Sequence, residues 1–313
     1  MQTGTATANK GSQINQLIDQ VSTIIVGKRE QVTLSVICLL ASGHLLIEDV
    51  PGVGKTTLSQ ALSRSLGLSF SRIQFTSDLL PSDLIGVSVY ERQKEAFVFH
   101  PGPVFAHVLL ADEINRAGPR TQSALLEAME ERQVSADGET RPLPNPFFVI
   151  ATQNPSDQLG THPLPESQLD RFAMRLSLGY PAPAAERALL IGEDRREALL
   201  ALHPVISPAQ WQQWQQRVDE IHVADSLLDY LQALLTATRD GRWFAQGLSP
   251  RAGLSLLKLA RARALVLGRN HVSPEDIQVL WLPAAAHRLM PLPQSGRSAN
   301  AQARALLEAT PVP

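Results

Sequence analysis

The chain contains one cysteine, Cys38, so no disulfide can form within it. That residue lies in the apolar run Val36-Ile37-Cys38-Leu39-Leu40 and reads as a small buried hydrophobe rather than a reactive thiol. No apolar stretch reaches the ~20 residues that cross a bilayer. The polar start, Met1 to Asn9, lacks an apolar signal core. A cytoplasmic protein is expected, one that can still lie against a membrane through a partner. Charge of one sign is also scarce: 28 Lys and Arg face 30 Asp and Glu, a net charge of −2. That disfavours a protein whose main task is coating nucleic acid, although a basic groove can hide in a neutral total. There is no internal repeat and no long charge block. What is present is an ordinary globular composition, 44% hydrophobic and 19% charged, with room in 313 residues for two domains.

Residues 1–11 read as a loose tail. Ile14, Leu17, Ile18, Val21, Ile24 and Ile25 then recur at helical spacing. Val26-Gly27-Lys28 breaks the pattern before a second apolar helix that runs through Leu40. Short buried strands are expected at 44–48, 70–75, 107–111, 146–151 and 175–178, with a helix from Lys55 to near Gly67. Such alternation predicts a parallel sheet with helices on both faces. The character changes at Tyr180-Pro181-Ala182-Pro183. Beyond it no strand pattern stands out, and helices are expected over 189–202, 211–221, 227–238, 251–267 and 274–289. Ser273-Pro274-Glu275-Asp276 marks a helix start by its cap, its proline and its acids. The organisation read from this is an α/β core over 12–180, a helical second domain over 181–290, and a Pro-, Ala- and Ser-rich tail over 291–313 with one short helix near 303–308.

Asp49-Val50-Pro51-Gly52-Val53-Gly54-Lys55-Thr56 lies between a predicted strand and a predicted helix. It fits the phosphate-loop pattern except at its first position, where Asp49 replaces glycine. Gly52 and Gly54 let the backbone turn its N–H groups toward phosphate oxygens. The helix that follows adds its positive end. Lys55 can reach the β- and γ-phosphates, and the Thr56 hydroxyl can ligate Mg²⁺.

Val108-Leu109-Leu110-Ala111-Asp112-Glu113 is an apolar strand that ends in two acids. Asp112 suits a Mg²⁺ contact and Glu113 suits a base that polarises an attacking water. Alone, such a strand end is common; after a phosphate loop, at the edge where open α/β sheets bind ligands, it carries weight. Asn154 ends another apolar strand, where it can hold the lytic water or contact the γ-phosphate, or simply start a turn before Pro155. Arg171 precedes the last strand. Arg251 sits in the first turn of a helix, where it opposes the helix dipole and so does nothing for that helix. Each arginine could also be an ordinary surface residue.

These pieces in this order resemble the AAA+ ATPases, and more closely the MoxR family among them. The strings that carry the resemblance are Ile25-Val26-Gly27, Glu48-Asp49-Val50-Pro51-Gly52-Val53-Gly54-Lys55-Thr56, Gln74-Phe75-Thr76, and Leu79-Leu80-Pro81-Ser82-Asp83-Leu84-Ile85-Gly86. Ala111-Asp112-Glu113-Ile114-Asn115-Arg116-Ala117 and Gln122-Ser123-Ala124-Leu125-Leu126-Glu127-Ala128-Met129-Glu130-Glu131 follow. Ala151-Thr152-Gln153-Asn154-Pro155, Pro163 through Phe172, and Ser249-Pro250-Arg251-Ala252 complete the match, which spans roughly residues 12–290. Asp49 looks typical of MoxR proteins.

The resemblance implies a P-loop AAA+ αβα core with a five-stranded parallel sheet and an all-helical lid. It implies Mg²⁺ and ATP as cofactors, with ATP held between the subunits of a homo-oligomeric ring, usually a hexamer. By motif position, Pro51, Gly52, Val53, Gly54, Lys55, Thr56 and Thr57 would be Walker A. Asp112 and Glu113 would be Walker B, and Asn154 sensor 1. Arg171 would be the arginine finger that reaches a neighbour's ATP, and Arg251 sensor 2. Ile25, Val26 and Gly27 would border the adenine, and Arg116 and Arg120 stay open as other trans arginines.

Two hairpins also resemble pore elements of this branch. One runs from 86–90 to 97–99 around the polar stretch 91–95, and the other from 133–134 to 141–143 with its turn at Asp137-Gly138. The expected activity is ATP hydrolysis coupled to remodelling or maturation of a partner protein, often one with a von Willebrand factor A domain, sometimes in metal insertion. Two competing readings are a nucleic-acid motor and a nucleotide-gated scaffold. The first hairpin's balanced charges, Arg92 and Lys94 against Glu91 and Glu95, argue against the former, and an intact Glu113 argues against the latter.

Overall fold

A computed structural model of the chain describes residues 5–154, 162–191, 195–293 and 296–312. Two helices, α1 (Thr5–Ile24) and α2 (Arg29–Leu40), precede strand β1 (His44–Glu48) and helix α3 (Lys55–Ser65). Strand β2 (Phe70–Gln74) leads through a short helix, α4 (Pro81–Ile85), into a hairpin of β3 (Gly86–Glu91) and β4 (Ala96–Pro101). Strand β5 (Val108–Asp112), helix α5 (Pro119–Glu131), a second hairpin of β6 (Gln133–Ala136) and β7 (Glu139–Pro142), and strand β8 (Phe148–Gln153) follow. Helix α6 (Glu166–Leu169) and strand β9 (Phe172–Leu176) close the sheet.

The rest is mostly helical: α7 (Pro183–Ile191), α8 (Arg195–Leu200), α9 (Pro208–Asp219) and α10 (Asp225–Arg239) come first. A strand, β10 (Phe244–Gln246), separates them from α11 (Pro250–Val266) and α12 (Pro274–Ala285). Strand β11 (Met290–Pro291) and helix α13 (Ala299–Ala309) end the described chain.

Five parallel strands form the sheet in the order β2-β5-β8-β1-β9. The three inner strands, β1, β5 and β8, are buried up to their last residues, which is why their sequences are apolar runs rather than alternations. Their polar termini align: Glu48 pairs with Gln153, and Asp112 with Gln74 at the end of β2. The sheet therefore delivers its polar groups to one edge, at the carboxyl ends of the strands.

One apolar cluster packs α4, α5, Val134 of the second hairpin and one sheet face. The other runs without a break from α1, α2 and α3 across the opposite face into α9 to α13, so the lid and the core share a hydrophobic interior.

The structure departs from several expectations. α1 already begins at Thr5, inside the stretch read as a loose tail. The second half carries a small antiparallel ribbon, β10 with β11, which at two and three residues is too short to leave a period in the sequence. The short helix expected near 303–308 is longer, α13 over Ala299–Ala309, and it is fastened to α12 where the Trp281 Nε1 donates to the Ala303 carbonyl at 2.8 Å. The helix expected over 189–202 begins earlier, with α7 at Pro183, and α8 covers Arg195–Leu200; residues 192–194 lie outside the described residues.

Candidate functional site

At the carboxyl edge of the sheet, a cavity of ≈ 380 Å³ lies over the turn between β1 and α3. Pro51, Gly52, Gly54, Lys55, Thr56 and Thr57 line it from below, and Asp112, Glu113 and Asn154 from the ends of β5 and β8. The turn depends on left-handed backbone at Gly52 (φ 85°) and Gly54 (φ 97°), which only glycine adopts without cost. Gly54 caps α3, so that helix points its free N–H groups into the cavity.

Asp49, the departure from the usual pattern, is buried and has a structural task. Its carboxylate accepts from the Val50 N–H (2.9 Å), the Gly179 N–H (2.6 Å) and the Ser177 hydroxyl (3.1 Å). It thereby ties the phosphate loop to the segment that leads out of β9.

Lys55 donates to the Asp49 carbonyl at 2.7 Å and approaches the Asn154 Oδ1 at 3.5 Å. Burial holds its pKa below the ordinary lysine value, and the carboxylates of Asp112, Asp49 and Glu113 oppose that shift. Thr152 organises the acids: its hydroxyl donates to the Asp112 carboxylate and accepts from the Glu113 N–H at 2.9 Å. Glu113 sits in the left-handed region (φ 55°), a conformation that costs energy for any residue but glycine. Asn154 donates to the Glu113 Oε1 at 3.4 Å, and Arg116 comes within 3.1 Å of the Oε2. The base candidate and the sensor candidate are thus brought together, with Arg116 committed to the same pocket.

Arg72 and Gln74, both on β2, also line the cavity, and the Arg72 Nη2 lies 2.7 Å from the Asp112 Oδ2. Gln74 falls in one of the strings that carry the resemblance, but neither residue was given a site role, because β2 is an edge strand whose exposure pattern looks unremarkable.

Lys55, Thr56 and Asp112 suit Mg-ATP: hard oxygen donors beside a cation, at a helix start. No cluster of three or more His, Cys, Asp or Glu that could hold a metal occurs among the described residues, so a divalent cation held by Thr56 and Asp112 would take its other oxygen ligands from the nucleotide and water. Mg²⁺ is commonly bound in that way.

Not every expected site residue enters this cavity. Ile25 is buried in the core, and Gly27 packs against Ala185 on α7. Val26 is half-buried, and Val53 packs partly against the core. Arg171 and Arg251 lie elsewhere. They border a second cavity, ≈ 210 Å³, beside Gly43 and His44 at the opposite end of β1. There the Arg171 Nη2 lies 2.8 Å from the Glu130 Oε2, and the Arg251 Nη1 2.6 Å from its Oε1. Arg120 is exposed at the start of α5.

The fold and the cavity at the strand ends are those of a P-loop nucleotide-binding protein. The comparisons narrow the class. Residues 44–174 match the model for the "ATPase family associated with various cellular activities (AAA)", and residues 236–308 match an AAA lid domain. The chain is 44% identical to the protein YeaC of Bacillus subtilis over 96% of its own length and 95% of that protein's. It is 42% identical to the chaperone MoxR1 of Mycobacterium tuberculosis over 88% and 75% of the two chains. A crystal structure of a candidate ATPase from Cytophaga hutchinsonii superposes with a TM-score of 0.89 at 34% identity, covering 98% of this chain and 97% of that one. The chain belongs to the MoxR family of AAA+ ATPases. No helix among the described residues is long and apolar enough to cross a membrane.

Proposed function

We propose that the protein binds Mg-ATP in the cavity over Lys55 and hydrolyses it only where a neighbouring subunit completes the site, in a ring that is hexameric. The force so generated remodels or matures a partner protein, one with a von Willebrand factor A domain, in some settings during metal insertion. Residues 12–180 act as the nucleotide-binding core and the helices after 181 as the lid.

The observation that carries the reading is the separation of Glu113 from Arg171 and Arg251. They sit at opposite ends of β1, whose five residues at ~3.3 Å each put them on the order of 16 Å apart. Neither arginine can serve its own subunit's pocket, so each is free to serve the next. Arg116, paired with its own Glu113, is the weaker candidate for that role.

Within one pocket, Lys55 and the α3 N-terminus hold the phosphates, and Thr56 and Asp112 hold the cation. The cation, when bound, neutralises charge on the phosphates. Glu113 accepts the proton of an attacking water, and Asn154 fixes the carboxylate that does so. Arg171 of the adjacent copy offsets charge that builds on the γ-phosphate.

Two variants test the assignment. Lys55→Ala should lose ATP affinity, measured with a fluorescent analogue. Glu113→Gln should keep that affinity while turnover falls ~10²-fold or more. Hydrolysis by Glu113→Gln at the wild-type rate would remove Glu113 as the base.

A further inference from the structure

Glu130 is out of place by local rules. It occupies the last turn of α5, where an acid opposes the helix dipole, and the helix ends just after it with Arg132 in the left-handed region (φ 52°). Its compensation lies across the fold. One carboxylate oxygen meets Arg171, from the turn before β9, and the other meets Arg251, from the first turn of α11. All three side chains are partly exposed, a setting in which ion pairs contribute little to stability.

The two arginines are also fastened behind their charges. The Asp170 carboxylate, next to Arg171, accepts from the hydroxyl of Ser249, the residue that caps α11, at 2.9 Å and pairs with Arg288 at 3.2 Å. The backbone under Arg171 and the helix start under Arg251 are therefore joined. What remains adjustable is the pair of guanidinium groups, and Glu130 is the anion between them. Two like charges brought to one place repel unless a counter-charge holds them. Each guanidinium has five N–H donors, and Glu130 engages one amino group of each, leaving donors for other oxygens.

We infer that Glu130 is a positioning residue that presents Arg171 and Arg251 as one two-pronged cation to the terminal phosphate of ATP bound by the neighbouring subunit. This rests on the shared-site reading above. Glu130 touches neither its own subunit's phosphate pocket nor the reacting atoms; it acts through the arginines.

The test is Glu130→Gln in the full-length protein, at concentrations where rings form. Turnover should fall about tenfold. The Michaelis constant and the affinity for a fluorescent ATP analogue should stay within about twofold, because the pocket over Lys55 is intact. Mixing Glu130→Gln with Glu113→Gln should restore turnover, since some interfaces then join an intact Glu113 to arginines held by an intact Glu130. A variant damaged only in its fold would not be rescued so and would lose affinity. Arg171→Ala serves as the control. If it is inactive while Glu130→Gln turns over normally, the positioning role is wrong and the shared site survives. If Arg171→Ala itself turns over normally, the shared site fails and takes this role with it. Loss that persists in the mixture, or a Michaelis constant raised in proportion, also overturns the proposal.

Discussion

The two ends of β1 are built differently. At the carboxyl end, polar side chains are pinned largely by the main chain: Asp49 by two backbone N–H groups, Lys55 by a carbonyl, and Thr152 by the Glu113 N–H. At the amino end the charged groups pin one another, with Glu130 between Arg171 and Arg251, half-exposed. Main-chain partners fix a geometry before any ligand arrives, and such preorganisation suits a pocket that must receive phosphates. Side-chain partners at a surface can be exchanged at low cost. One end is a mould and the other is a set of movable charges, as expected if the first binds within a subunit and the second acts between subunits.

The largest expected effect tests that division most directly. Arg171→Ala should bind ATP with wild-type affinity and lose turnover by ~10³-fold, the range of other arginine-finger enzymes. Mixed with Glu113→Gln, it should regain part of the lost activity. A mixture as inactive as either parent, with subunit exchange shown by light scattering of tagged rings or an equivalent assay, would place both roles in one subunit and erase the comparison.

The carboxyl end was legible in the sequence because its chemistry is local. A glycine-bearing turn between an apolar strand and a helix, and acids at a strand terminus, can each be read within eight residues. The three inner strands were legible for the same reason, as inner strands of a parallel sheet are short apolar runs. The last strand was misplaced: β9 runs over Phe172–Leu176 and meets the expected 175–178 only at its end. Glu130, Thr152, Arg72 and the task of Asp49 were not legible, since each is defined by a partner far away in the chain. Glu130 meets residues 41 and 121 positions on, and Asp49 meets residues 128 and 130 positions on. Spacing says nothing about such contacts. The β10–β11 ribbon escaped for a different reason: too few residues to show a period.

A smaller effect concerns the amino end and acid. His44 is buried beneath Glu130, where its Nδ1 accepts from the Val149 N–H at 3.0 Å and its Nε2 donates to the Met129 carbonyl at 3.2 Å. Burial holds its pKa down at about 4, the Met129 carbonyl opposes this, and the charges of Arg132 and Arg251 lower it further. The folded-state value lies below the unfolded value of ~6.5. Between the two, the unfolded chain carries a proton that the folded chain does not, so stability rises with pH. It is complete above pH ~6.5 and is lost as the pH falls toward 4, by at most about 3 kcal/mol from this residue. Urea unfolding at pH 7 and pH 4.5 should show the loss, and His44→Gln should make it smaller. Burial lowers His287 in the same direction, so the variant will not abolish it. An identical pH slope in His44→Gln and wild type would show that His44 titrates normally.

The smallest effect asks whether either end is felt at a distance, in the hairpin of β3 and β4. That hairpin stands out from the core with Phe97 74% exposed and Tyr90 beside it, ring centroids 5.4 Å apart. It leans on the second hairpin, where the Arg141 guanidinium lies 4.0 Å over the Phe99 ring and the Ser88 N–H donates to Asp137 at 3.2 Å. The β6–β7 hairpin follows directly from α5, the helix that ends in Glu130 and Arg132. A shift of α5 as the arginines, still held by Glu130, engage phosphate would therefore reach both hairpins.

Phe97→Cys provides the probe, because the native Cys38 thiol is fully buried, its pKa pushed up to about 12 by that burial, and it will not react. Phe97 contributes no phosphate ligand, so basal ATP hydrolysis by the variant should stay within about threefold of wild type. Maleimide labelling at position 97 should then differ a few-fold between the nucleotide-free protein and the ATP-loaded protein carrying Glu113→Gln. Adding Arg171→Ala should flatten that difference if the signal starts at the arginine end. It should leave the difference intact if ATP acts on the hairpin from its own subunit's pocket, through the segment from Leu79 to Gly86 that joins β2 to the hairpin. A labelling rate indifferent to nucleotide in every background would mean that neither end of β1 drives the hairpin, and that the surface which works on a partner must be sought on the lid.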